Sequence, residues 1–181
     1  MIFSDQAAWH VIHGRPKCEH LAAAVMAELP EVETYCPRIR YQKSTRRGRV
    51  WFVEALFPGY FFARFAPAKS ARAVRHSQNV IRIVEFGGMM SPVPDSVIMG
   101  IRAEMEGREV REIHLEVRPG DEVEVAEGPM RGIKGIVNHV HDGARRVRIL
   151  MEILGGENVV EVDASKLLPA RQPREALAGG A

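Results

Sequence analysis

Only two places in this chain of 181 residues put metal-ligating or nucleophilic side chains close together. Cys18-Glu19-His20 offers a thiol, a carboxylate and an imidazole, and His139-Val140-His141 offers two imidazoles. A zinc site needs three or four convergent ligands, and a nucleophilic centre needs a base and an oxyanion donor within reach. The first triplet falls on a helical pattern, where neighbours two apart point away from each other. The second places both imidazoles on one face of a strand, with no third ligand nearby. No phosphate loop, nucleophile elbow or dinucleotide fingerprint occurs. Catalysis, a metal and a cofactor are therefore not expected.

The composition, 46% hydrophobic and 27% charged, is that of an ordinary globular protein. No apolar run approaches the ~20 residues of a membrane helix, and Met-Ile-Phe-Ser-Asp-Gln lacks the features of a secretory signal. Two cysteines form no disulfide framework, so a cytoplasmic protein with reduced thiols is expected, and no membrane partner. The net charge of +2 conceals an asymmetry. Residues 1–102 carry 14 Lys/Arg against 8 Asp/Glu, whereas residues 103–116 carry 2 against 5 and residues 117–170 carry 7 against 9. A basic first half beside a mildly acidic second half implies that only the first lies near nucleic acid.

The order of elements follows from periodicity and punctuation. Trp9 to Ile12 reads as a strand, and Lys17 to Leu29 as a helix whose Leu21, Val25 and Leu29 share one side. Glu33 to Pro37 reads as a strand. Arg38, Arg40, Lys43, Arg46, Arg47 and Arg49 then supply six positive charges without an acid, with Tyr41 among them, which suggests a long hairpin tip before Val50 to Val53. Leu56-Phe57-Pro58-Gly59-Tyr60 leads into the most apolar stretch, expected as a central strand entered through a Pro-Gly corner. Pro67 to Ser77 is helical with Pro67 near its first turn. Val80 to Phe86 is a strand closed by Gly87-Gly88, and Pro94 to Met105 is a third helix.

This β-α-β-β-α-β-α order argues for an α+β fold, an antiparallel sheet flanked by helices. Residues 107–117 read as an acidic flexible linker between a first domain, 5–106, and a second, 118–170, with 171–181 a disordered tail. After the linker only strand signals occur. Pro119 to Val137 is the densest, with Gly120, Gly128, Gly132 and Gly135 punctuating short Val/Ile runs and Pro129 following Gly128. Strands spaced about a dozen residues apart suggest a small barrel.

That stretch resembles the KOW motif of SH3-like β-barrels in ribosomal proteins and in NusG-type factors. Together with the Trp9 strand, its helix and the Leu56–Tyr60 segment, it resembles the NusG/RfaH family of transcription elongation and antitermination factors over roughly Trp9 to Pro169. The resemblance implies a non-enzymatic factor, acting as a monomer, whose first domain sits on the clamp helices of RNA polymerase. It implies that Phe57, Pro58 and Tyr60 form an apolar seat, joined by His13, Phe86, Ile98 and Ile101, although burial in the fold would explain the last three equally well. It implies that the basic hairpin meets upstream or non-template DNA, with Tyr41 placed to stack on an unpaired base and Arg72 and Arg75 within reach of the same strand. It further implies that Ile153 and Leu154, before Gly155-Gly156, meet Rho or a ribosomal small-subunit protein. Relatives often carry Phe where Leu154 stands, and Ser70-Ala71-Arg72 replaces the His-Thr-Thr of specialised paralogues. A specialised paralogue therefore stays open beside the housekeeping factor. The Val/Ile-rich strands favour a stable barrel over one that refolds as a helical hairpin. A ribosome- or RNA-associated KOW protein acting in translation is the alternative.

Overall fold

The structure is a computed structural model describing residues 4–45, 48–113, 116–141, 146–153 and 156–170, with the backbone alone for 43–45, 48–49 and 152–153. It is an α+β protein with two compact units, Met1–Ile39 with Val53–Arg111, and Arg40–Phe52 with Glu112–Ala181.

The chain begins with β1 (Ala8–Gly14), α1 (Glu19–Ala27) and β2 (Glu33–Tyr35). The basic segment forms β3 (Arg38–Thr45) and β4 (Gly48–Ala55), so most of its charges lie along paired strands rather than in a tip. Then follow β5 (Tyr60–Phe65), α2 (Pro67–Arg75), β6 (Val80–Ile83), β7 (Glu85–Phe86), β8 (Met89–Met90), α3 (Asp95–Glu104) and β9 (Val110–Glu112). The last of these is a strand inside the segment expected as a linker.

In the first unit a four-stranded sheet runs in the order β2-β5-β1-β6. Its β1, β2, β5 and β6 ladders are antiparallel. Alternation along the strands gives each face its own core. Ile12, Phe61, Ala63, Phe65 and Ile83 point to one face, where Ala22, Ala23 and Met26 of α1 and Ala71 and Val74 of α2 cover them. Trp9, Tyr35 and Phe62 point to the other face and pack on Ile98 of α3. Trp9 is therefore structural and stands on an inner strand of the sheet.

The buried side of α1 departs from the expected one. Leu21 and Val25 are 48% and 41% exposed, while Ala22 and Met26 are fully buried. Small alanines let the helix axis approach the large rings of β5, and Leu21 and Val25 are left outside while Leu29 packs half-buried against this core. On α2, Pro67 occupies the first turn as expected, where its missing N–H has no helical partner to lose.

The second unit adds β10 (Glu122–Val125), β11 (Lys134–Val140), β12 (Arg146–Ile153), β13 (Gly156–Asp163), a 3-10 turn (Ala164–Lys166) and β14 (Leu167–Pro169). These five strands form an antiparallel sheet in the order β13-β12-β11-β10-β14. Val123, Val125, Val137, Val147, Ile149, Met151, Val162 and Leu167 build its core, alternating with exposed charged neighbours such as Glu122 and Arg148. At Gly135 a Cβ would lie 2.7 Å from the Leu150 carbonyl oxygen and 2.8 Å from Met151 Cγ, so the strands approach this closely only around a glycine. Apart from the 3-10 turn, the described residues here are strands and connections.

Candidate functional site

Phe57-Pro58-Gly59-Tyr60 is a tight turn closed by a Tyr60 N–H to Phe57 carbonyl hydrogen bond of 2.9 Å. Proline stands second and Gly59 third with φ +81°, the arrangement of a type II turn. Three anchors fix this corner to the sheet. Gly14 donates to the Gly59 carbonyl at 2.8 Å. The Gly59 N–H donates to Glu19 Oε1 at 2.6 Å, from a carboxylate only 3% exposed at the start of α1. The ring of Phe57 stands edge-on to Phe62, with centroids 5.7 Å apart.

A rigid corner thus presents apolar groups to solvent. Phe57 and Tyr60 are 36% and 39% exposed, and Pro58 is exposed as well. His13, opposite Tyr60 in the β1–β5 register, stacks on its ring at 4.8 Å. His13, Phe57 and Tyr60 are therefore joined to one turn and one strand pair. Phe86 is 70% exposed, on the small β7–β8 hairpin with Met89 beside it at 68%.

Ile98 is corrected. The resemblance carries it to the docking surface, but it is 2% exposed and belongs to the core with Trp9, Tyr35 and Phe62. The reason lies in helix phase, because Ile98 is the position of α3 that faces the sheet while Val97 and Met99 flank it outside. Ile101 is half-buried against the same cluster.

Tyr41 is corrected as well. Its ring is 1% exposed and lies parallel to Phe52 at 6.2 Å, so it offers no free face to a base. Along β3, Ile39 and Tyr41 take the inner side and Arg40 the outer one. The aromatic that does accompany the charges is Trp51, 38% exposed, with the Arg40 guanidinium 4.1 Å from its centroid. Trp51 is not foreseen from the sequence, because Val50, Trp51, Phe52 and Val53 are all exposed on β4 and no two-residue alternation singles it out.

The other cations are spread out. Arg38 is paired with Glu109 at 3.5 Å, and Arg75 is paired with Glu85. Arg72 is exposed on α2. Lys43 and Arg49 lie on β3 and β4, and Arg46 and Arg47 lie outside the described residues. Ile153 ends β12, with its side chain outside the described residues, as is Leu154 entirely. The expected tail, 171–181, also lies outside them.

Of the residues first considered for chemistry, Glu19 has a structural partner in the corner. Cys18 is half-buried before α1, Glu19 holds the corner, and His20 is exposed. His139 and His141 meet edge-on at 4.9 Å, and His141 Nε2 lies 3.4 Å from Glu161. Arg148 donates to that carboxylate at 3.0 Å and holds its pKa below the ordinary value, with Arg146 and His141 adding to the effect. Burial pushes the Cys36 thiol up to about 12, so it stays protonated. Among the described residues no three His, Cys, Asp or Glu side chains gather closely enough to hold a metal, and no helix is long and apolar enough to cross a membrane.

The family model described as "Transcription termination factor nusG" matches residues 7–102. The transcription termination/antitermination protein NusG of Thermus thermophilus is 29% identical over 126 residues, 64% of this chain and 67% of its own. Its counterpart in Deinococcus radiodurans is 31% identical over 129 residues, 62% of this chain and 67% of its own. A solved structure described as "Domain interaction in Thermotoga maritima NusG" covers 92% of this chain and 98% of its own at 19% identity, with a TM-score of 0.43. With the family model spanning more than half of its length, this chain belongs to the NusG family.

Proposed function

We propose that this protein is a non-enzymatic transcription termination/antitermination factor that docks on the clamp helices of RNA polymerase through its Phe57–Tyr60 corner. The observation that carries the reading is the corner itself: two half-exposed aromatics and a proline, held by a type II turn and a buried carboxylate. Rings fixed in advance lose little conformational freedom on binding, which is the property of an interface anchor. His13 extends the apolar surface beside Tyr60, and Phe86 supplies a further exposed ring.

The basic hairpin works on DNA. Its contacts are to phosphates through Arg40, Lys43, Arg46, Arg47 and Arg49, with Arg72 in support, and are therefore salt-dependent. The second unit recruits a protein partner, Rho or a ribosomal small-subunit protein, through the segment at Ile153 and Leu154. Tethering keeps that partner at high local concentration near the polymerase.

The test is a binding measurement with polymerase core enzyme, comparing the wild-type chain with Phe57→Glu, with circular dichroism to confirm folding. Loss of an anchor worth at least about 2 kcal/mol weakens binding roughly 30-fold or more. Undiminished binding by a folded Phe57→Glu protein overturns the proposal. Pull-down after nuclease treatment separates it from a role in translation, since polymerase subunits rather than ribosomal RNA should remain bound.

A further inference from the structure

Away from the corner, the first unit contains a recess of about 630 Å³ lined by α1, β2 and the segment after α3. Two hydrogen-bond donors in its lining lack partners among the described residues: the hydroxyl of Tyr35 and Nε of Arg38. Tyr35 is only 8% exposed, and both atoms are withdrawn from solvent. A donor left buried and unmatched is unfavourable, so two on residues that line one recess call for an acceptor, a water or a ligand oxygen, from outside the chain.

The charges around them favour a negative acceptor. Arg38, Arg102 and Arg108 line the recess against one carboxylate, Glu109. The Arg102 guanidinium stands 5.0 Å from the Tyr35 ring centroid and is tied to Glu33 at 2.9 Å. Glu109 reaches Arg38 Nη2 at only 3.5 Å, longer than a charge-assisted hydrogen bond, and its side chain is 59% exposed. It is a loosely held internal anion that leaves Nε of Arg38 unmatched. Burial raises the Tyr35 pKa, which keeps the phenol protonated and able to donate.

We propose that this recess binds a compact oxyanion, a phosphate or a carboxylate, between the Tyr35 hydroxyl and the Arg38 guanidinium, displacing Glu109. The planar guanidinium supplies parallel donors to two oxygens, and the phenol supplies a third. This site shares no residue with the aromatic corner and does not depend on its role.

The experiment titrates the full chain with inorganic phosphate and separately with glutarate, following the Arg38 Nε–H resonance by NMR. A saturable shift is expected, with affinity reduced about fivefold by Tyr35→Phe through loss of one hydrogen bond of about 1 kcal/mol. Arg38→Ala abolishes phosphate or glutarate binding, measured by calorimetry, and Glu109→Gln strengthens it severalfold. Because Tyr35→Phe removes an unmatched hydroxyl, its unliganded fold keeps or gains thermal stability, so lost affinity is not lost folding. Response to phosphate alone identifies a phosphate ligand, response to glutarate alone a carboxylate, and response to both a general oxyanion site; each supports the proposal. A non-saturable shift, an affinity untouched by Tyr35→Phe, or tighter binding of a short single-stranded oligonucleotide at the same resonance overturns it.

Discussion

Glu19 and Gly59 are 40 positions apart in sequence, yet a buried carboxylate oxygen of one accepts the backbone N–H of the other at 2.6 Å. This bond connects the start of α1 to the turn that displays Phe57 and Tyr60. Glu19→Ala leaves the Gly59 N–H unmatched and is expected to cost about 2 kcal/mol, read as a lowered thermal midpoint. Glu19→Gln retains an acceptor and should cost about half as much. If the corner is the polymerase seat, both variants also weaken binding while a surface control such as Glu31→Gln does not.

Phe86 and Ile98 should separate docking from stability. Truncating Ile98, buried on Trp9 and Phe62, is expected to destabilise the fold by about 2–5 kcal/mol in denaturant unfolding. Phe86→Ala, at a position 70% exposed, should leave the unfolding midpoint within about 0.5 kcal/mol and act only on partner binding. The reverse pattern would place Phe86 in the core and Ile98 on the surface.

On the basic hairpin, the aromatic to remove is Trp51. Trp51→Ala is expected to weaken single-stranded DNA binding by about 1–3 kcal/mol in a fluorescence titration, with the effect persisting at higher salt because stacking is not screened. Tyr41→Ala should instead lower stability by about 3–5 kcal/mol through loss of a buried ring. Equal DNA affinities for Trp51→Ala and wild type would remove Trp51 from the interface.

His10 gives the first unit a pH dependence. It is 2% exposed and packs on Phe65 at 4.7 Å, and burial lowers its pKa below the ordinary 6.5, against a smaller opposing effect from a backbone hydrogen bond at Ala8. The unfolded chain therefore binds the proton more readily than the folded one. The stability is fully present above about 6.5 and declines as the pH falls from there towards the folded value. Unfolding midpoints measured between pH 7.5 and 5 should fall in the wild type and flatten in His10→Gln.

Gly135 tests the packing of the second unit. A methyl group there meets Leu150 backbone at 2.7 Å, and Gly135→Ala is expected to cost about 1–3 kcal/mol through strand displacement. Gly128→Ala meets no neighbour within 4 Å and is strained only through its φ of +92°. Unfolding monitored on the second unit should show the larger loss at Gly135.

Much of the architecture is legible in the residues. Pro58-Gly59 announces the corner, Pro67 the start of α2, and alternating valines the strands of the second unit, because each acts locally. Where contact with distant chain decides, the reading falls short. The four-residue spacing of Leu21, Val25 and Leu29 looks like a core stripe, yet only Leu29 packs on the core, and the alanines take the rest because close approach to Phe61 and Phe65 buries more ring surface. Tyr41 resembles a base-stacking aromatic until its shared side with Ile39 is recognised. Glu19 reads as one more helix carboxylate, since nothing local foretells a partner in a turn 40 residues further on.

Between β7 and β8, Gly87 and Gly88 stand at φ +59° and +76°, and a Cβ at either would meet no neighbour within 4 Å. A hairpin that turns on two unobstructed glycines tolerates extra chain at its apex. An environment-sensitive dye attached there would sit next to Phe86, turning this small ribbon into a natural reporter of encounter with a partner.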